Sequence, residues 1–215
     1  SVTLDWAVRS VLLIGVPAAV ALVILARPIL ITLFQYGALT PTDVDMAVLS
    51  LRAYSLGLIA FMLVKVLAPG FYARKDTATP VKIGIIAMAA NMVLNLLFVL
   101  PLMYFWNIGH LGLALATSVA AYINAGLLLR GLVREGVYHM QPQIVRYVLR
   151  LSLATLAMAL TLLWLAPDVP QWLSWDWHHR ALQMALVCAA GGLVYLLTHL
   201  LLGTRMRHLR APSGV

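Results

Sequence analysis

The chain alternates long apolar stretches with short polar ones. Apolar runs occupy residues 10–26, 46–70, 81–104, 111–129, 147–166 and 181–202. Each approaches the ~20 residues that a helix, rising ~1.5 Å per residue, needs to cross a ~30 Å hydrocarbon core. None alternates apolar and polar positions as the strand of a membrane barrel must. The pattern predicts an all-α integral membrane protein with six transmembrane helices. The punctuation between runs agrees. Pro17 interrupts the first run and Arg27-Pro28 follow it. "ALTPTDVDMAV" opens the second run, with Thr40 as N-cap, Pro41 in the first helical position and Asp43 at the third, a shortened capping box. That helix is expected to run to about Ala68 and to kink or end at Pro69-Gly70, where a backbone donor is lost.

Composition makes the membrane assignment firm. The 215 residues are 63% hydrophobic and 10% charged, with a mean hydropathy of +0.94; a soluble domain carries roughly 25% charged residues. The cations are placed unevenly. Arg9, then Arg74, Lys75 and Lys82, then Arg130, Arg134, Arg146 and Arg150, then Arg205, Arg207 and Arg210 fall on one side of the six-span path, eleven of fifteen. Arg27 and Arg180 fall on the other, and Arg52 and Lys65 lie within the second span. The positive-inside rule puts the rich side in the cytoplasm, with both ends of the chain there, as an even number of spans requires. The expected location is a membrane crossed several times, with both ends of the chain on the cytoplasmic side. The net charge of +8 is thereby accounted for by topology: no nucleic-acid partner is expected, and membrane lipids with anionic heads are.

The opposite side carries "APDVPQWLSWDWHHR", with Trp164 just before it and Trp172, Trp175 and Trp177 inside it, a composition suited to an outer loop lying on the membrane interface. His178 and His179 are adjacent, point different ways on a helix and have no suitably spaced third ligand, so no metal is expected. Cys188 stands alone, within a span, as a small packing residue. Phosphate-binding, nucleophile-elbow and zinc-protease motifs are absent, and no cofactor or enzymatic activity is expected. The seven acids, Asp5, Asp43, Asp45, Asp76, Glu135, Asp168 and Asp176, fall in loops or at span edges, which speaks against a proton relay contained in this chain.

The polar residues inside spans are the candidates for function. Lys65 sits about six residues short of the basic loop in "VKVLAPGFYARKDTATPVKIG". It can snorkel to the interface along its own stem, or face a water-filled cavity and meet an anionic headgroup. Arg52 poses the same choice at the other end of the span. Asn91 and Asn95, four apart on one helical face near mid-membrane, are either glue between helices or cavity lining. Thr117, Ser118 and Asn124 of the fourth span invite the same comparison, and the small residues around them (Gly112, Ala114, Ala116, Ala120, Ala121) suit close helix packing. Spans five and six are nearly pure Leu, Ala, Met and Val, and Gly191-Gly192 would permit a close approach or leave a groove for lipid tails.

Three stretches carry a family resemblance: "LFQYGALTPTD", "AYSLGLIAFMLVKVLAPGFYARKDTATPVKI" and "HLGLALATSVAAYINAGLLLRGL". Together they resemble the MurJ/MviN lipid II flippases of bacterial cell-wall synthesis, within the multidrug/oligosaccharidyl-lipid/polysaccharide exporter superfamily. The match runs from about Asp5 through Arg134; beyond it the similarity lies mainly in hydropathy and position. The resemblance implies a C-terminal fragment of a 14-helix fold. Residues 1–135 would be the last four helices of the second six-helix lobe. Residues 136–215 would be an extra helix pair with an interfacial outer loop and a basic cytoplasmic tail. It also implies function: carriage of lipid II, or a similar undecaprenyl-pyrophosphate-linked substrate, from the cytoplasmic to the periplasmic leaflet by alternating access. A cationic cavity suits a pyrophosphate. Lys65 and Arg52 match the family's pattern in span two and are expected, with Asn91 and Asn95, to bind substrate or gate the cavity. The further partner would be the N-terminal helices that complete the cavity. The opening "SVTLDWAVRS" fits an excised piece. The rival readings are another lipid-linked oligosaccharide flippase or a multidrug antiporter of the same superfamily, and a non-transporting helical membrane scaffold.

Overall fold

A computed structural model describes residues 2–36, 40–138 and 144–203. Among these residues every regular element is a helix: α1 (Val2–Phe34), α2 (Pro41–Tyr72), α3 (Ala78–Trp106), α4 (Gly109–Arg134), α5 (Ile144–Leu165), α6 (Val169–Ser174) and α7 (Trp177–Leu201). All but α6 are long and apolar enough to cross a membrane, so six spans stand where six were expected. Arg205, Arg207 and Arg210 lie outside the described residues. We call the end bearing the loops at 73–77 and 135–138 the basic end, and the other the tryptophan end.

The helices are longer than the apolar runs, and several of their polar ends are capped or paired. Thr40 Oγ1 accepts from Asp43 N–H at 3.3 Å and the Asp43 carboxylate accepts from Thr40 N–H at 2.9 Å, the reciprocal box that the sequence predicts at the start of α2. Of the two outcomes expected at Pro69-Gly70, an end to α2 does not occur; the helix continues to Tyr72. A proline removes one bond of the ladder, and the turn beyond it is held by Phe71, fully buried with Leu67, Leu128 and Leu132. At the basic end Arg74 pairs with Glu135, joining the α2–α3 loop to the end of α4. Asp76 Oδ1 accepts from Thr79 N–H at 3.0 Å at the start of α3. The bonds from Thr79, side chain first, hold the Asp76 carboxyl below the usual carboxylate range.

In space the helices stand in the order α3, α4, α2, α1, then α5 with α7. α4 is wedged between α2 and α3, which scarcely touch each other. Ser118 Oγ donates to Ala53 C=O at 2.7 Å and the Tyr122 hydroxyl to Leu56 C=O at 2.7 Å, stitching α4 to α2. Gly57 is required at that crossing: a Cβ there would stand 2.8 Å from the Cβ of Ser118. On the far side of α1, α5 and α7 form a hairpin around Leu151, Ala154, Met158, Leu162 and Val187. Gly191 makes the close approach that the glycine pair allows, since a Cβ would meet Leu162 Cδ2 at 2.6 Å, whereas Gly192 faces open space.

The tryptophan end differs most from expectation. The stretch read as an interfacial loop contains the short helix α6, and Trp172 is not half-buried but 1% exposed, donating its indole N–H to Thr32 Oγ1 at 2.9 Å. Arg180, counted as an outer-side charge, is 8% exposed. Its guanidinium donates to Leu173 C=O at 3.0 Å and reaches toward Ile31 C=O at 3.5 Å, at the carbonyl ends of α6 and α1, with the Tyr36 ring 5.4 Å away. Carbonyl ends of helices carry partial negative charge, and two of them stand in for a carboxylate. Asp5, expected at a span edge, lies in the first turn of α1 and is buried against Arg9 at 2.8 Å and the Tyr138 hydroxyl at 3.3 Å.

Candidate functional site

Because α4 keeps α2 and α3 apart, a cleft opens between them with α4 as its floor. It measures about 430 Å³. Phe61, Val64 and Lys65 of α2 form one wall; Gly84, Ala87, Met88 and Asn91 of α3 form the other; Thr117, Ala120, Ala121 and Asn124 of α4 lie beneath. The sequence explains the opening. Alanines at 120 and 121 and Gly84 contribute almost no bulk, and a Cβ at Gly84 would touch nothing within 4 Å. Apolar side chains make most of the surface, and one cation and three polar side chains are set into it, the usual composition of a ligand site.

Lys65 is exposed along this cleft, seven residues before the end of α2 and so about 10 Å in from the basic end. Among the described residues no carboxylate pairs with Lys65 or with Arg52; the acids are engaged elsewhere, Asp5 with Arg9, Asp45 with Arg27, Glu135 with Arg74 and Asp176 with the two histidines. Asn91 lies opposite Lys65 on α3, and its Oδ1 is buried with no hydrogen-bond partner. Asn95, one turn further along α3, likewise leaves Oδ1 buried and unpartnered, but it is not among the residues lining the cleft. Arg52 is elsewhere: its Nε donates to Val23 C=O at 3.1 Å, bridging α2 to the turn of α1 before Pro28. Of the four candidates, therefore, Lys65 and Asn91 come together, Asn95 borders them, and Arg52 stands apart.

The fourth-span residues divide in the same way. Ser118 is glue, bonded across to α2. Thr117 donates to Leu113 C=O of its own helix at 2.8 Å and presents the rest of its side chain to the cleft, as Asn124 does. The sequence offers no clue to this division, because Thr117 and Ser118 differ only in which neighbour their face meets. At the tryptophan end, Asp176 draws both adjacent histidines to itself, His179 Nδ1 at 3.0 Å and His178 Nδ1 at 3.6 Å. The His179 bond is first among the causes that hold the Asp176 carboxyl below the usual range. Among the described residues no group of three metal-capable side chains forms.

Comparison with known proteins gives a consistent result. Residues 1–177 match the family model described as lipid II flippase MurJ. A probable lipid II flippase MurJ of Vibrio cholerae is 47% identical over 211 residues, which cover 98% of this chain and 39% of the relative. The Haemophilus influenzae protein of the same description is 44% identical over 96% of this chain and 39% of its own length. The lipid II flippase MurJ of Burkholderia cenocepacia is 39% identical over 82% of this chain. A solved structure of lipid II flippase MurJ in an inward closed conformation superposes with a TM-score of 0.74 at 25% identity, over 97% of this chain and 40% of that one. The chain spans about two fifths of the length of the first two relatives.

Proposed function

The chain belongs to the lipid II flippase MurJ family, and from that membership we propose that it forms part of a transporter carrying lipid II from the cytoplasmic to the periplasmic leaflet by alternating access. Its place is a multi-pass one in the inner membrane. The basic end is cytoplasmic, and so are both ends of the chain, an orientation supported by the cation asymmetry of the loops. α1–α4, residues 1–135, act as the last four helices of the second lobe, and the α5–α7 unit, residues 136–215, as the additional pair. The N-terminal helices of the longer relatives complete the cavity, and membrane lipids cover the rest.

The observation that carries the mechanistic reading is the cleft between α2, α3 and α4, with the Lys65 amine unpaired by any described carboxylate and the Asn91 amide left short of a partner. A lone cation near the basic end is the complement of a pyrophosphate arriving from that side. An unpartnered amide beside it accepts hydrogen bonds from a hydroxylated or amide-bearing headgroup. Asn95 supports Asn91 from the next turn. Arg52, bonded to Val23 C=O, holds α2 against α1 and is suited to gating rather than to contact with substrate. The test is lipid II translocation in flippase-depleted cells supplied with the full-length protein. Lys65→Ala is expected to lower translocation at least tenfold with membrane expression unchanged, and full complementation by that variant would remove Lys65 from the site.

A further inference from the structure

α1 runs unbroken from Val2 to Phe34 although it contains Pro17 and Pro28. A proline has no N–H, so the carbonyl of Leu13, four residues before Pro17, lacks the partner that a helix otherwise supplies. Inside a membrane no water takes its place. The Tyr195 hydroxyl of α7 does, at 2.6 Å from Leu13 C=O. A carbonyl only accepts, so Tyr195 gives its single hydrogen to Leu13. His199 Nε2 lies 3.1 Å from the same hydroxyl oxygen and must therefore be the donor to it, which places the imidazole proton on Nε2. Both side chains are buried, at 8% and 6% exposure. One turn earlier on the same face of α1, the Tyr147 hydroxyl of α5 donates to Arg9 C=O at 2.6 Å.

We propose that the carbonyl released by Pro17 is a docking notch that sets the height of α7, and with it the α5–α7 pair, on α1. The rest of this seam is mostly apolar: Leu13, Val16, Val20 and Leu25 of α1 pack with Val187 and Met184 of α7 and Leu151 and Met158 of α5. Apolar packing in a lipid solvent gains little from one register over the next, since lipid tails are as apolar as the side chains they replace. A directed bond to the carbonyl that Pro17 leaves free has one position only. α7 also meets α1 over fewer residues than α5 does, so it depends most on such a bond. Tyr195 is a positioning residue in this scheme, and Pro17 acts by what it withholds rather than by the kink it makes.

A double-mutant cycle on the full-length protein in detergent tests the notch. Tyr195→Phe keeps the ring and removes the hydroxyl, and is expected to lower Tm by roughly 1–3 °C, the range for one buried carbonyl left without a donor in a protein of the full length. Pro17→Ala restores a backbone N–H at that position to bond Leu13 C=O, so in that background Tyr195→Phe is expected to cost less than half as much. Hydrogen exchange read by mass spectrometry should show faster exchange in α7 for Tyr195→Phe alone and near-parental exchange once Pro17→Ala is added. If Tyr195→Phe alone does not fold, recovery of folded protein by Pro17→Ala is the same rescue in stronger form. Equal losses in both backgrounds, no loss in either, or failure to fold in both would overturn the proposal.

Discussion

Two polar clusters lie in different sets of membrane-spanning helices and are finished differently. In the seam between α1 and the α5–α7 pair most polar groups are matched: Tyr147 with Arg9 C=O, Tyr195 with Leu13 C=O, and His199 with Tyr195, while Asp5 joins Arg9 and Tyr138 at its basic end; the buried Thr155 hydroxyl of α5 is the exception. In the cleft between α2, α3 and α4, Lys65 has no carboxylate among the described residues and Asn91 leaves an amide oxygen buried and unpartnered. Buried polar groups are almost always satisfied, because in a low-dielectric interior an orphan costs about 1–3 kcal/mol. A matched cluster is thus complete as structure, whereas an unmatched one awaits something else to bond. On the proposed reading the contrast separates residues that hold the fold from residues that meet a ligand or a neighbouring helix, although both groups read alike as polar letters in greasy runs.

The sharpest way to break the comparison is to substitute on both sides and measure stability and transport together. Lys65→Ala should produce the largest change in transport, tenfold or more, with Tm within about 1 °C of the parent, because an exposed lysine without a pairing carboxylate contributes little to folding. Asp5→Ala should do the reverse. It removes an acceptor shared by Arg9 and the Tyr138 hydroxyl, and the expected loss is about 1–3 kcal/mol of stability, seen as a lower Tm. Transport per folded molecule should stay near parental. A transport defect for Asp5→Ala at unchanged Tm would join the seam to the working site and dissolve the distinction.

Gly84→Leu probes the cleft by filling it. A side chain there meets open space, and leucine is the better helix former by about 0.5–1 kcal/mol. Stability should hold or rise slightly while transport falls severalfold. Loss of both would mean that the cleft closes in the folded protein. Labelling of single cysteines then fixes which way the cleft opens: Thr77→Cys should react from the cytoplasmic side and Ser174→Cys from the periplasmic side, and reversed labelling would overturn the orientation.

How much of this is legible in the sequence follows from what periodicity encodes. The six spans, the capping box at Thr40–Asp43 and the lysine within span two are local patterns, and the structure has them where the sequence puts them. The spatial order is not legible, because any two of these apolar helices look alike to each other from sequence. With it go the wedge of α4 that makes the cleft, and the bond that ties Arg52 to α1. Buried Trp172 and Arg180 escape for a related reason. Tryptophan and arginine near a span end usually mark the interface, but here Thr32 and the carbonyl ends of α1 and α6 supply their partners, and those on α1 are distant in sequence. Pro17 reads as an interruption. Its consequence, a carbonyl offered to Tyr195, needs a helix 178 residues further on to become visible.

The smallest expected effect makes the finest test. Asn95 leaves Oδ1 buried and unpartnered, yet it lies just outside the cleft that Asn91 lines. If its amide serves only this chain's folding, it is a liability, and Asn95→Leu, close in volume and apolar, should leave Tm unchanged or raise it by a degree or two, since removing an orphan polar group relieves its desolvation penalty. If instead the amide meets the carried headgroup or a helix of the remaining lobe, the same variant should hold its Tm as this chain alone and lose transport, or Tm, in the full-length protein. Comparing the two settings decides the matter because the orphan oxygen belongs to one helix face and only one of the settings provides anything beyond α4 for that face to touch. Equal behaviour in both would place Asn95 with the seam residues as structure, and would confine the working surface of α3 to Asn91 and the residues toward the basic end.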